Sequence, residues 1–425
     1  MWQAMRMRTN CVALAALAVL LAGCGNGGGA SSGSSASEIS APAVNAVAAD
    51  SSKPPVLVGF ENTMTGTFAF PAFADGFAAG VKYVNEELGG INGSPLTSTL
   101  CASDGTPDGA VNCGNQFVQS DVVLSVLGFD YGADGILPVL KAAGVAEFGY
   151  QAITPGMNNA VGQAFFASPS TQEAYSAAVV AQKGLGVRSL ATVMPDLPPM
   201  HDYFATVVEP AARKVGIAIR AFYYPATGPD WASFASSVVA TQPEGITLYV
   251  GDADALAAIP AFRGTGFTGV IDASTSTSVI PKLSPQVLEK VIFVNPFFNN
   301  LYADSALSPK VRADLAAFNR HIKPDPASYT FAQAGFFDAV QAADMLRQVA
   351  AKTGAPLTRQ TVLQNIASTK GGMFFRDGTY DCSTPSWPGT TSCTSGFNYA
   401  EVGADKKLTP LANSPVDVSS VRVTG

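Results

Sequence analysis

Apolar positions along this chain recur with two periods, and their alternation predicts the fold class. Val56-Leu57-Val58-Gly59-Phe60 is a short continuous apolar run that leads into a Thr- and Gly-rich turn, Asn62–Thr67. Beyond the turn, Phe73, Phe77, Val81, Val84 and Leu88 recur at three- and four-residue spacing, which puts them on one helical face. Pro71 suits the first turn of that helix and Gly89-Gly90 its end. The cycle then repeats. Strands are predicted at Val122–Leu127, Gly144–Phe148, Ser189–Met194, Gly216–Tyr223, Ile246–Val250 and Val270–Ala273. Helices are predicted at Leu137–Lys141, His201–Lys214, Trp231–Ala240 and Ala253–Arg263. Strands alternating with helices imply right-handed crossovers and parallel sheets, so the fold class is α/β.

Two Pro-containing breaks, Ala167–Thr171 and Asn295–Asn300, interrupt the alternation. Residues 309–320 and 329–350 read as helices, the second with Phe331, Phe336, Val340, Met345 and Val349 on one face. The character changes again over 371–411. There Met373–Tyr380 reads as the start of a hairpin that turns at Asp377-Gly378.

The amino-terminal segment reads as an address. Met1–Asn10 carries Arg6 and Arg8 and no acid, and residues 11–22 are an apolar stretch of about a dozen residues, short of the ~20 needed to span a bilayer. Leu21-Ala22-Gly23-Cys24 resembles the bacterial lipobox, so 1–23 is expected to be a signal peptide and Cys24 a lipidated anchor; a signal cut elsewhere, leaving a free thiol, is the alternative. Residues 25–53 are nearly all Gly, Ser and Ala and cannot bury enough surface to fold. They are expected to form a tether spanning ~30 Å by square-root scaling, with the folded part starting near Pro54.

Composition narrows the function. The chain has 425 residues, 47% hydrophobic and 13% charged, enough for two or three domains and too apolar for bulk disorder. Its net charge of −7 and lack of any basic run set nucleic-acid binding aside, because that affinity rests on clustered Lys and Arg. No G-x-S-x-G elbow, H-E-x-x-H or Walker loop occurs, and two histidines, His201 and His321, leave little general-base capacity, so an enzyme is not expected. No cofactor is implied. Apart from Cys11 and Cys24, four cysteines remain, which allow three connectivities. Their spacing favours the local pairs Cys101–Cys113 and Cys382–Cys393, free buried thiols being the alternative. A zinc site is disfavoured, since no C-x-x-C occurs.

Together, the lipobox, the Gly/Ser tether, the strand VLVGF, the Thr-Gly turn opening a long helix and the C-x11-C loop form a collinear set. So do Val84-Asn85 with Gly89-Gly90-Ile91-Asn92-Gly93, the strand-to-Gly128 turn and the late Phe375-Arg376-Asp377-Gly378. Over 54–411 this order resembles the type I periplasmic binding proteins, in the leucine/isoleucine/valine-binding branch of ABC importers. The resemblance implies two similar lobes, each a mostly parallel sheet flanked by helices, joined by three hinge crossovers and closing on a ligand. The lobes would comprise 54–168 plus 296–368 and 169–295 plus 369–411, with 412–425 a tail. It also implies a monomer that hands a small solute to permease and ATPase subunits on separate chains, held at the extracytoplasmic face of a membrane by its lipid. A sensor or scaffold lipoprotein that uses the same fold to bind a partner protein is the alternative.

Open parallel sheets bind ligands beyond the carboxyl ends of their strands. Those positions nominate Thr65, Gly66, Thr67 and Phe68, then Asp130 and Tyr131, then Tyr150 and Gln151 in the first lobe. In the second lobe the segments are Asp196–Asp202, Tyr249–Asp252 and Asp272–Thr275, and Tyr249 and Asp272 are the residues expected to meet ligand. Each has a plainer reading: Thr65 and Thr67 as helix caps, the tyrosines as surface packing, Asp272 as a cap. The resemblance puts Asp272 where the family's acid for a ligand ammonium falls. Relatives that bind amino acids hold the carboxylate with hydroxyls in the second and third loops of the first lobe. Here those loops read Gly128-Phe129-Asp130-Tyr131-Gly132-Ala133-Asp134 and Gly149-Tyr150-Gln151-Ala152-Ile153, with rings and acids in place of Ser or Thr. An aromatic or amide-like solute between tyrosines fits these residues better than a branched-chain amino acid.

Overall fold

The apolar run at Val56 continues further than its hydrophobicity alone suggests, as β1 (Val56–Thr63), because it is an inner strand of a sheet and is covered on both faces. It pairs in parallel with β2 (Leu96–Ser103) on one side and β3 (Leu124–Leu127) on the other, and β4 (Ala146–Gly149) and β5 (Ala164–Phe166) extend the sheet to the order β2-β1-β3-β4-β5. The computed structural model describes residues 46–66, 69–225, 228–324 and 329–422, without the side chain of Pro199. The expected signal peptide, the Cys24 anchor, most of the tether, and the candidates Thr67 and Phe68 lie outside the described residues.

A second sheet takes β6 (Ser189–Pro195), β7 (Ala218–Tyr224), β8 (Gly245–Leu248), β9 (Val270–Ala273) and β10 (Val291–Asn295), all parallel where they pair. The chain then returns to the first sheet through helices Pro309–His321 and Tyr329–Thr353, and makes a small antiparallel pair, β11 (Lys370–Gly372) with β12 (Thr379–Asp381). It ends on the second sheet with β13 (Asn398–Val402) antiparallel to β10 and β14 (Leu408–Pro410) antiparallel to β13. The result is a two-lobe α/β fold with parallel-rich sheets flanked by helices, the chain passing between the lobes after β5, after β10 and before β13.

The first lobe is held by close packing of helix Pro71–Glu86 on helix Tyr329–Thr353. Gly76 faces the Ala332 carbonyl and Gly335 faces the Phe73 carbonyl so closely that a Cβ at either position would overlap backbone. Phe60 and Phe77 stack beneath this pair with centroids 3.9 Å apart. Both local cysteine pairings are present as disulfides, Cys101–Cys113 and Cys382–Cys393. No helix among the described residues is long and apolar enough to cross a membrane.

Among the elements that differ from the sequence reading, four do so for a clear physical reason. Leu96–Ser103 is an edge strand with exposed Ser98, Leu100 and Ala102 and half-buried Thr97 and Thr99, so it carries no continuous apolar run. Helix Thr171–Gly184 is rich in alanine and starts from a reciprocal Ser170–Glu173 capping box rather than from a hydrophobic stripe. The expected helix His201–Lys214 is three pieces, Pro198–Tyr203, a π turn Phe204–Val208 and Glu209–Val215. Pro210 has no N–H to continue the ladder there. Finally, Met373–Gly378 is the loop of the β11–β12 pair rather than its first strand, because Met373 and Phe375 turn inward to pack in the core.

Candidate functional site

The carboxyl ends of β1, β3 and β4 converge on one rim of the first lobe, and Asn62 fixes their loops. Its Nδ2 donates to the Phe70 carbonyl at 3.0 Å, and its Oδ1 accepts from the Phe129 amide at 3.0 Å. The two loops also share an aromatic cluster: Phe70 packs on Phe129 at 4.3 Å and on Phe331 at 4.7 Å, and Tyr131 stands edge-on to Phe129 at 5.3 Å. Tyr131 is half-exposed at the tip of this cluster, at 54% of its full surface. Such rings offer a flat apolar surface with a polar tip.

The second lobe presents its own tyrosines. Tyr175, on helix Thr171–Gly184, stacks on Tyr203 with centroids 4.9 Å apart and packs on Tyr249 at 4.5 Å. The Tyr249 hydroxyl donates to the Tyr175 carbonyl, and the Tyr224 hydroxyl donates to the Tyr249 carbonyl. Burial pushes the Tyr175 hydroxyl far up from its ordinary pKa, and Tyr203, Tyr131 and Tyr224 add to the shift. Tyr131 of the first lobe is therefore close to Tyr175 of the second. Thr171 joins the same two faces, since its hydroxyl donates to the Ala152 carbonyl after β4 and lies beside the Tyr203 hydroxyl.

Where the lobes meet, all three passages of the chain surround Tyr150. Its carbonyl accepts from the Ser168 amide of the first passage at 2.7 Å, and its ring packs on Phe297 of the second at 5.0 Å. Arg376 lies beside it and reaches the third passage, donating from Nη2 to the carbonyls of Ser395 and Gly396. Burial pushes the Tyr150 hydroxyl up, opposed by Ser168, and Asp338 and Arg376 also act on it from close by.

The expected site residues divide into two groups. Tyr131 and Tyr249 belong to the aromatic clusters of the two lobes, while Tyr150 packs on Phe297 and Phe337 where the lobes meet, with the partly buried Gln151 next to it. Thr65 and Gly66 are exposed on the first loop, Gly66 at φ 90° where a side chain would be strained. Asp130 and Asp272 turn inward. Asp130 is fully buried, accepts from the Gly132 amide at 2.5 Å and lies against Glu61. Asp272 is fully buried beside Tyr249 and Tyr399, and burial holds its carboxyl far above the ordinary range. The hydroxyl nearest the third loop is engaged elsewhere, because Thr154 caps helix Pro155–Asn159 and donates to Asp134. Asp252 likewise accepts from Thr275, Ser276 and Ser278.

Beneath the first rim lies a buried acid set. Glu61, Glu147 and Asp338 are fully buried, and their carboxylate oxygens have no hydrogen-bond partner among the described residues. Burial pushes the Glu147 carboxyl up to about 8 and those of Glu61 and Asp338 well above their usual values. No group of three or more His, Cys, Asp or Glu among the described residues has a metal-holding arrangement.

Sequence reasoning did not nominate Tyr175, Tyr203, Asn62, Thr171 or Arg376 as site residues. Asn62 and Arg376 stand inside motifs that carry the resemblance by their order. Tyr175 and Tyr203 had no such signal, being single aromatic positions on helices.

The family model described as "Periplasmic binding protein" matches residues 55–382. No curated protein sequence matches the chain. Among solved structures, an extracellular ligand-binding receptor from Verminephrobacter eiseniae is 18% identical, with TM-score 0.67 over 84% of this chain and 100% of that one. The branched-chain amino acid transporter substrate-binding protein LivJ from Streptococcus pneumoniae, in complex with isoleucine, is 15% identical with TM-score 0.65, over 84% and 100%. A solute-binding protein of an ABC transporter from Rhodopseudomonas palustris, in complex with p-hydroxybenzoic acid, is 18% identical with TM-score 0.66, over 84% and 95%.

Proposed function

The chain belongs to the periplasmic binding protein family, and on that premise we propose that it is the lipid-anchored solute-binding subunit of an ABC importer, capturing an aromatic small solute between its lobes by hinge closure. One observation carries the choice of solute: Tyr131 of the first lobe stands close to Tyr175 of the second, which stacks on Tyr203 and packs on Tyr249. A planar ring entering between these faces gains stacking contact from both lobes and so favours closure. Beyond the first loop, the described groups that could hold an amino acid are engaged elsewhere. Asp130 and Asp272 are turned inward, and Thr154 is committed to Asp134. Among the structural neighbours with a named ligand, the protein that holds p-hydroxybenzoic acid carries the kind of solute that this rim suits.

Thermal unfolding of the detergent-solubilised full-length protein against a solute panel tests the reading. A solute at 100 times its Kd adds about 2.7 kcal/mol of stability. The midpoint is expected to rise with hydroxylated aromatic solutes and not with leucine or valine. A rise with leucine alone would restore an aliphatic amino acid as the substrate. No rise with any solute would favour a lipoprotein that binds a partner protein. The anchor has its own test, since Cys24→Ser is expected to move the protein from the membrane fraction to the soluble one.

A further inference from the structure

Arg376 is a buried cation with no counterion among the described residues. Its side chain sits where the three passages between the lobes meet, with the residue only 4% exposed. Nη2 donates to two carbonyls, but Nε and Nη1 are buried and have no partner among the described residues. None of the described ion pairs includes it. Burial lowers its pKa to about 10, which leaves the guanidinium charged at neutral pH. The titratable group acting on it is Tyr150, whose hydroxyl burial pushes up, and no described carboxylate makes an ion pair with it. A buried guanidinium in that condition is strongly unfavourable unless an anion completes its hydrogen bonds.

From this geometry we infer that Arg376, with Tyr150 beside it, is the carboxylate subsite at the floor of the cleft, and that the solute is an aromatic acid bound with its carboxylate toward the hinge and its ring between the tyrosines. The inference rests on the aromatic-solute reading above and specifies the charge and orientation of that solute. It also gives the missing hydroxyls of the second and third loops a counterpart, because the anion is received at the hinge and not at the first-lobe rim. Arg376 contacts the third passage through Ser395 and Gly396. An anion bound there would therefore act directly on a segment that must bend when the lobes close.

Calorimetric titration of the full-length protein with 4-hydroxybenzoate and with 4-hydroxybenzamide tests this without any variant. The acid is expected to bind about 30-fold more tightly than the amide, the range for a charge-assisted hydrogen bond. Arg376→Met should remove most of that preference while changing amide affinity by less than about threefold, and Arg376→Lys should keep part of it. Equal binding of acid and amide by the native protein overturns the subsite and leaves the aromatic-solute reading standing. So does an Arg376→Met variant that keeps the full preference. Failure of both compounds and of other aromatic acids to bind overturns both readings. If Arg376→Met does not fold, the acid–amide comparison in the native protein still decides the question.

Discussion

Asn62 and Phe129 are joined across the top of the first sheet: the Phe129 amide donates to Asn62 Oδ1 at 3.0 Å, while Asn62 Nδ2 holds the Phe70 carbonyl at 3.0 Å. One buried side chain thus sets the spacing of the two loops that carry the first-lobe rings. Gly128 lies so close that a Cβ there would press on Asn62 Oδ1. The rim is shaped by a polar residue at the end of β1, not by the aromatic residues that line it.

Removing this side chain strands the Phe129 amide and the Phe70 carbonyl in a partly buried rim. An unpartnered buried group costs about 1–3 kcal/mol. Asn62→Ala is therefore expected to lower stability by about 2–3 kcal/mol in urea unfolding and to weaken solute binding through loop disorder. A loss under about 0.5 kcal/mol would show that the loops hold their positions without it.

The strands and helices were legible where burial is continuous or one-sided. Val56–Phe60 and Val270–Ala273 announce central strands, and Phe73, Phe77 and Val84 announce the helix that covers them. Leu96–Ser103 was not legible, because an edge strand with alternating exposure looks like a polar linker. For the site, position beyond a strand end nominates Tyr131, Tyr150 and Tyr249 but cannot tell which way a side chain turns. Asp130 faces Glu61 and Asp272 faces tyrosines in the interior, and both directions depend on partners far away in sequence. Tyr175 and Arg376 come near the other candidate residues only through the crossing of the chain between lobes, which no local pattern records.

The buried acids make stability depend on pH in an unusual direction. Glu147 is held at about 8 by burial against an ordinary value of 4.5, so the folded state keeps a proton that the unfolded chain gives up. Its stabilising share is fully present below pH 4.5 and is lost as pH rises towards 8. Glu61 and Asp338, near Glu147, shift in the same direction, with Asp130 and Ser125 also within reach of the set. At about 1.4 kcal/mol per unit, the Glu147 share falls by about 2–3 kcal/mol between pH 5 and pH 7. Glu147→Gln is expected to raise stability by that amount at pH 7 and to change little at pH 5, measured by urea unfolding at both. Equal effects at the two pH values would remove Glu147 as the source.

The cross-lobe tyrosines should separate binding from folding. Tyr131 is half-exposed, so Tyr131→Ala is expected to change stability by less than about 0.5 kcal/mol. Its loss of ring contact should weaken an aromatic solute by roughly tenfold, about 1.4 kcal/mol. Tyr175→Phe removes a hydroxyl that reaches Met200 Sδ but leaves the stacked ring, and so should retain most affinity. Titration of both variants with the same aromatic acid checks the pair. A Tyr131→Ala variant with native affinity would take that ring out of the site.

The helix pair beneath the first lobe gives a last and sharper test, because it is limited by backbone contact. Gly76 on helix Pro71–Glu86 meets the Ala332 carbonyl, and Gly335 on helix Tyr329–Thr353 meets the Phe73 carbonyl in return. Neither obstacle is a flexible side chain that could swing aside. A methyl at either position must push the helices apart, opening gaps around Phe60, Phe77 and Phe336, which are buried in the same core. Helix propensity favours Ala over Gly by about 1 kcal/mol, so an effect governed by propensity would stabilise the protein. Overpacking costs about 1–3 kcal/mol at ordinary core sites and more where backbone must move. Gly76→Ala and Gly335→Ala are each expected to destabilise by about 3 kcal/mol, read as a lowered urea midpoint. The double variant should cost less than the sum, since one displacement of the helices relieves both clashes. Additive losses would mean that each glycine is accommodated by a separate local adjustment.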